Sequence, residues 1–254
     1  MKQRIISAII ALIIFIPLVI LGGIYFKIGL TIISLLAIKE VLSLKDNVPF
    51  LIKILSYIIV GILVFVDINI VLKLLIPMFI YLILAIFIDD KKYNIEDTFF
   101  LSGFSMLIIV FFSYMYLIRQ RDINVLIYLF LITILTDTFA YIGGRIFGKH
   151  KLIESVSPNK TIEGSIIGSI IGTILPSAFY LYIISPGEYF TIIVLFTLAL
   201  SLIGQIGDLA FSKIKRFYRI KDFSNIMPGH GGILDRFDSI IFVIIGYIIL
   251  INFM

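Results

Sequence analysis

Cysteine and tryptophan are both missing from the 254 residues, histidine occurs twice, and only 15% of the chain is charged. Without cysteine there are no disulfides, no thiolate zinc sites and no thiol nucleophile. Without tryptophan, anchoring at a membrane interface falls to the 13 tyrosines, Tyr114, Tyr116 and Tyr218 among them. A soluble domain of this length carries roughly 25% charge. The shortage of charge therefore excludes a water-soluble enzyme, a disordered chain and a nucleic-acid binder. What is present instead is apolar, with 61% hydrophobic residues and a mean hydropathy of +1.15. The formal net charge of +5 is small and is concentrated in a few segments. This is the composition of a polytopic membrane protein.

A helix needs about 20 mostly apolar residues to cross the hydrocarbon. Ile5 to Phe26 runs without a charge behind Lys2 and Arg4. That stretch is too long for a cleaved signal, and Leu21-Gly22-Gly23 is a poor cleavage site, so it reads as a first span. Further apolar blocks fall at 28–44, 51–66, 71–88, 99–118, 123–142, 164–184, 189–211 and 238–254. Pro17, Pro77 and Pro176 are tolerated inside them, because neighbouring helices re-satisfy freed backbone groups. The expectation is an all-α, polytopic integral membrane protein of about nine transmembrane helices. No repeat or low-complexity linker divides it, so 1–254 reads as a single integral-membrane domain. Its spans up to 122 are N-terminal, and a catalytic half from 123 to 254 carries the motifs.

Lysine and arginine of short loops are kept in the cytoplasm. Lys45, Lys53, Lys91, Lys92, Arg145, Lys149, Lys151 and Lys160 fall on one side, with Lys213, Lys215, Arg216, Arg219, Lys221 and Arg236. Lys27, Lys73, Arg119 and Arg121 fall on the other. The bias places the N-terminus in the cytoplasm and the chain in the cell (inner or plasma) membrane. Lys39-Glu40 and Asp89-Asp90-Lys91-Lys92 read as interfacial or solvated charge pairs.

Two segments on the cytoplasmic side, 143–163 and 212–237, hold both histidines and ten of the 21 basic residues. Connections in a helical bundle usually run about 2–8 residues. These are longer and dense in Gly, Pro, Lys and Asp, which suggests built structure. Asp208 ends an apolar helix, and an ionisable residue at membrane depth is a functional hypothesis by default. On a helix it shares a face with Ser212 and Lys215, at i+4 and i+7. The bland alternative is an interfacial Asp208 paired with Lys215.

Downstream come Lys221-Asp222, then Pro228-Gly229-His230-Gly231-Gly232, then Asp235-Arg236-Phe237-Asp238. Glycines around one histidine let backbone N–H groups approach an anion, as phosphate-cradling loops do. Alternatively, His230 only hydrogen-bonds backbone. Asp235 and Asp238 open the last helix, where an acidic residue serves as a cap. Several carboxylates with an arginine among them suit a divalent cation bridging phosphates better, and hard oxygen ligands favour Mg²⁺. In the first segment, Ser157-Pro158 resembles a helix start, with Ser157 as N-cap and Pro158 at the first helical position. A helix N-terminus with Lys160 beside it would be an anion site, or merely a capped helix end. Gly164, Gly168 and Gly172, at every fourth residue, predict close helix packing rather than chemistry.

The run Ser212-x-x-Lys215-Arg216, Lys221-Asp222, His230-Gly231-Gly232-x-x-Asp235-Arg236-x-Asp238 is similar to the pattern of the phosphatidate cytidylyltransferase (CDP-diacylglycerol synthase) family. Asp137-Thr138-Phe139-Ala140-Tyr141, Gly143-Gly144-Arg145 and Ser157-Pro158-Asn159-Lys160-Thr161-x-Glu163-Gly164 resemble it too. The resemblance is dense from Asp137 to Ser239, whereas the N-terminal half matches only in hydropathy.

It implies that CTP and phosphatidic acid give CDP-diacylglycerol and pyrophosphate at the cytoplasmic face of the membrane. It implies catalytic roles for Asp208, Lys221, Asp222, His230, Asp235, Arg236 and Asp238, with Asp208 and Asp235 as ligands of Mg²⁺ and K⁺ as a second metal ion. Substrate would be bound by Ser157, Asn159, Lys160, Thr161, Ser212, Lys215, Arg216, Gly231 and Gly232. It also favours a homodimer, and membrane lipids rather than nucleic acid as partners. The rival readings are a polyprenol kinase, an ether-lipid cytidylyltransferase and, from another class, a small secondary transporter. A transporter should carry its polar residues mid-membrane, often in inverted repeats, whereas here they cluster at one face.

Overall fold

The structure, a computed structural model, describes residues 2–45, 48–87, 93–187, 189–229 and 231–251. His230 and the charged run from 89 to 92 lie outside the described residues. Two compact units are formed: Met1–Gln120 with Asp222–Asp235, and Arg121–Lys221 with Arg236–Met254.

The first unit holds α1 (Lys2–Leu21), α2 (Gly23–Ser43), α3 (Phe50–Phe65), α4 (Ile70–Phe87) and α5 (Ile95–Arg121). The second holds α6 (Ile123–Phe147), a two-stranded antiparallel hairpin of β1 (Lys151–Ile153) and β2 (Ser157–Thr161), and α7 (Ile162–Phe179), which runs into a π-helical turn, Tyr180–Ile184. It continues with α8 (Phe190–Phe217), and α9 (Leu234–Ile251) begins in the first unit and runs on into the second. Among the described residues these nine α-helices fall on the nine apolar blocks of the sequence. α5, α6, α7 with its π turn, and α8 are long and apolar enough to cross a membrane. Ile9–Leu21, Phe50–Phe65 and Ile70–Ala85 are shorter apolar stretches. Large apolar side chains point outward along the helices, Ile13, Phe79, Ile174 and Ile206 among them. Such a surface is stable against lipid and not against water. The protein is an all-α membrane protein.

In the first unit, α2 and α5 bury Phe26, Leu30, Ala37 and Ile38 and Ile108, Phe111 and Phe112 respectively. Several polar groups that enter the core are partnered there, as a medium without water favours. Tyr81 Oη donates to Ser56 Oγ at 2.7 Å and lies 3.1 Å from Ser105 Oγ. Lys27 Nζ sits 2.6 Å from Asp67 Oδ2. Lys73 Nζ donates to Ser113 Oγ at 2.8 Å. The chain reverses between α1 and α2 at Gly22 and Gly23, both at positive φ. Arg119 closes that turn by donating to the Val19 and Ile20 carbonyls, at 2.5 and 2.9 Å. This is a C-terminal cap, the place where a helix macrodipole favours a cation.

In the second unit the glycine stripe does what its spacing predicts. A Cβ on Gly168 would lie 2.5 Å from the Thr136 carbonyl oxygen, and one on Gly172 would lie 2.0 Å from Thr136 Oγ1. Only glycine lets α7 approach α6 so closely. Hydroxyl contacts link α6 to α8: Tyr128 Oη to Thr197 Oγ1 at 2.7 Å, and Thr136 Oγ1 to Ser201 Oγ at 2.8 Å.

One local expectation is overturned. Ser157-Pro158 does not start a helix: Ser157–Thr161 is the strand β2, with Ser157 opposite Ile153 and Thr161 opposite Lys151. The helix begins four residues later, where Thr161 Oγ1 accepts from Gly164 N at 3.1 Å. Pro158 fits either setting by its fixed φ. Pairing with β1, just upstream in the same hairpin, decides for the strand.

Candidate active site

In the unit built from Arg121–Lys221 and Arg236–Met254, the hairpin, the C-terminal ends of α6 and α8 and the N-terminal end of α9 supply the candidate groups. Antiparallel pairing makes β2 extended, and the strand delivers Lys160 onto Asp208 of α8 as an ion pair. Ser212, one turn further along α8, donates to Asp208 Oδ1 at 3.3 Å. Asp208 and Ser212 therefore share a face, as their spacing predicts. Lys160, from the other motif, is the cation ion-paired with Asp208. Lys215 is buried in the last turn of α8 and offsets Asp238. Asp137 and Asp238 both lie within electrostatic reach of Asp208. Three carboxylates and two lysines thus gather at one end of this unit.

The hairpin is tied down at both ends. Glu163 accepts from the Lys149 and His150 amides at 3.1 and 3.2 Å, and its Oε1 lies 2.6 Å from His150 Nδ1. Arg216 Nε donates to the Val156 carbonyl at 3.3 Å. Asn159 is exposed, Ser157 half-buried and Thr161 buried as the α7 cap. α8 ends with the Arg219 amide donating to Arg216 O and the Ile220 amide to Lys215 O, at 3.0 and 2.9 Å. This is a Schellman closure, and Arg219 at φ 55 holds the left-handed position that glycine usually fills. Lys213, Arg216, Arg219 and Lys221 are exposed along this exit.

In the other unit, Asp222–Asp235 forms a folded loop. Met227 and Gly231 exchange both backbone hydrogen bonds, at 3.0 and 3.1 Å, with Gly229 and Gly231 at positive φ. Asp222 packs beside Gly231, where an added Cβ would lie 3.2 Å from the Asp222 Cβ. Asp235 is buried, and its Oδ2 accepts from the Phe223 and Gly232 amides at 2.8 and 2.9 Å. The Gly231 and Gly232 amides are thus engaged within the loop. Arg236 is exposed and Asp238 half-buried in the first turns of α9. His230 lies outside the described residues.

Sequence reasoning missed Glu40, which had read as half of an interfacial pair with Lys39. It is 1% exposed and accepts from Ser224 Oγ and the Ile233 and Leu234 amides. The available signal was a carboxylate interrupting an apolar block.

A divalent cation needs hard oxygen donors. Among the described residues no three His, Asp or Glu side chains form a ready metal cage. Mg²⁺ does not require one, because it takes one or two carboxylates and leaves its other positions to water and substrate phosphate. Within the Arg121–Lys221 and Arg236–Met254 unit, Asp208 and Asp238 with Lys160 and Lys215 beside them fit that ion together with a polyphosphate.

The profile of the cytidylyltransferase family matches residues 2–254. The phosphatidate cytidylyltransferase of Staphylococcus aureus (strain COL) is 40% identical over 254 residues, covering 96% of each chain. That of Staphylococcus haemolyticus (strain JCSC1435) is 39% identical over 251 residues, again 96% of each. The Staphylococcus epidermidis (strain RP62A) protein of the same name is 37% identical over 254 residues.

Proposed function

The chain belongs to the cytidylyltransferase family, and on that premise we propose that it transfers a cytidylyl group from CTP to phosphatidic acid. The products are CDP-diacylglycerol and pyrophosphate. A phosphate oxygen of phosphatidic acid attacks the α-phosphorus of CTP, a new P–O–P bond forms, and the bond to the pyrophosphate oxygen breaks. That phosphate is already anionic at neutral pH, so orientation and charge neutralisation matter more than a strong base.

The observation that carries this reading is the ion pair between Lys160 and Asp208. It brings a cation from the Ser157–Thr161 motif and a carboxylate from the α8 end into one place, as a polyphosphate–metal site requires. We assign Asp208 and Asp235 as the carboxylates for Mg²⁺, with K⁺ as a second ion. Held by these two carboxylates, Mg²⁺ would supply positive charge to offset what develops on the phosphates. Lys160, Lys215, Arg216, Lys221 and Arg236 neutralise the triphosphate, arginine by bidentate contact and lysine as a point charge. Ser157, Asn159, Thr161 and Ser212 offer hydroxyl and amide groups to the nucleotide. Asp222, His230, Asp238, Gly231 and Gly232 complete the site as the family pattern implies. The loops and N-terminus face the cytoplasm of the cell membrane, supported by the bias of lysine and arginine, and the protein works as a homodimer.

The test is pyrophosphate release by purified protein in mixed micelles containing phosphatidic acid, CTP and Mg²⁺. Release that needs all three components is expected. Release of CDP instead would point to a lipid kinase, and no turnover from folded protein would overturn the reading.

A further inference from the structure

Glu40 is buried on α2, yet among the described residues its partners are backbone amides and one hydroxyl rather than a cation. Oε1 accepts from Ser224 Oγ and from Ile233 N, both at 2.7 Å, and Oε2 accepts from Leu234 N at 2.8 Å. The Ile233 and Leu234 amides are among the unsatisfied donors at the start of α9, where a carboxylate is favoured by the macrodipole. The cap comes from a side chain almost two hundred positions away, where a residue next to the helix would do if capping were all that mattered. The same carboxylate lies on Gly232: a Cβ there would be 2.4 Å from Glu40 Oε1. It therefore grips the loop at Ser224, Gly232 and the first residue of α9, bracketing the amides that hold Asp235 Oδ2.

We infer that Glu40 is a positioning residue: from α2 it fixes the Asp222–Asp235 loop and so sets where the Asp235 carboxylate sits. This rests on the proposed cytidylyl transfer for its catalytic consequence. A buried carboxylate costs desolvation, which its three hydrogen bonds repay only while the loop stays in this conformation. Loop conformation and Glu40 ionisation are thereby linked. A displacement of about 1 Å at a reacting centre costs on the order of 100-fold in rate, so losing this grip should slow turnover without unfolding the helices.

The experiment compares the full-length parent with Glu40→Ala and Glu40→Gln in detergent, by hydrogen exchange, circular-dichroism melting and pyrophosphate release. Glu40→Ala is expected to lower kcat by about 100-fold with KM for phosphatidic acid unchanged, and to speed amide exchange in 222–235 alone. Glu40→Gln keeps an oxygen for Ser224 and Ile233 but sets an N–H against Leu234, so it should recover to within about tenfold of the parent. Parent-like exchange or parent-like kcat in Glu40→Ala would overturn the assignment. So would faster exchange across all helices, which would make Glu40 a general fold-holding residue. Should Glu40→Ala fail to fold, Glu40→Gln decides: slowed kcat with local loop exchange supports the role, and parent-like values in both refute it. The exchange readout needs no substrate. A parent that makes no CDP-diacylglycerol would sink the proposed function while leaving the grip on the loop separately decided.

Discussion

Lys160, on the last strand before α7, is ion-paired with Asp208, which lies 48 positions further along the chain on α8 and also accepts from Ser212 at 3.3 Å. The Lys160 and Asp208 side chains keep 31% and 22% of their exposure. A pair this wet contributes about 1 kcal/mol or less to stability. Its value lies in orienting a cation and a carboxylate together.

Lys160→Ala should therefore leave the thermal transition nearly unchanged, within about 1 kcal/mol. It should lower kcat/KM for CTP by about 100-fold, near 3 kcal/mol of transition-state stabilisation. Lys160→Arg should not restore the parent rate, because the planar guanidinium presents its charge differently. Pyrophosphate release against CTP concentration checks both.

Asp235→Asn separates metal binding from loop structure. The amide oxygen of asparagine can still accept from Phe223 N and Gly232 N, the two donors that hold Asp235 Oδ2. Folding should survive, while turnover falls by about 100- to 1,000-fold, or 3–4 kcal/mol. EDTA should silence the parent and added Mg²⁺ restore it. Near-parent turnover in folded Asp235→Asn would refute the metal assignment.

Arg219 offers a test in which stability and charge move in opposite directions. Its left-handed backbone at φ 55 costs a non-glycine residue about 1 kcal/mol. Arg219→Gly should raise the melting temperature, read by circular dichroism since the chain has no tryptophan. If the cation helps hold the triphosphate, KM for CTP rises in the same variant. A lower melting temperature would contradict the strain.

The glycines of α7 and α5 should respond oppositely to an added methyl. Gly168→Ala drives a Cβ to 2.5 Å from the Thr136 carbonyl and should destabilise by about 1–3 kcal/mol through overpacking. Gly103→Ala on α5 meets nothing within 4 Å and should be neutral or stabilise by about 0.5–1 kcal/mol through helix propensity. Melting the two variants side by side decides whether the close approach of α6 and α7 is what requires glycine.

Much of this protein is written in short stretches of its chain. Nine apolar blocks became nine helices among the described residues, because a run of apolar residues without backbone partners in lipid has little alternative to a helix. Gly164, Gly168 and Gly172 announced the tight α6–α7 contact by spacing alone, and Ser212 bonded to Asp208 as a helical i, i+4 pair must. What the separate motifs left open was settled by the partners each residue meets in the fold. Ser157-Pro158 looked like a capped helix start and became a strand, since β1 just upstream takes up its backbone hydrogen bonds in a hairpin. Asp208 met Lys160 from the hairpin, and Glu40, read with Lys39 as an interfacial charge pair, closed on Ser224, Ile233 and Leu234. Apolar runs and motif spacing act over short stretches, and so helices, membrane and family pattern could all be read from the order of residues alone. Which buried charge meets which donor depends on how the helices pack, and that emerges only once the chain is folded.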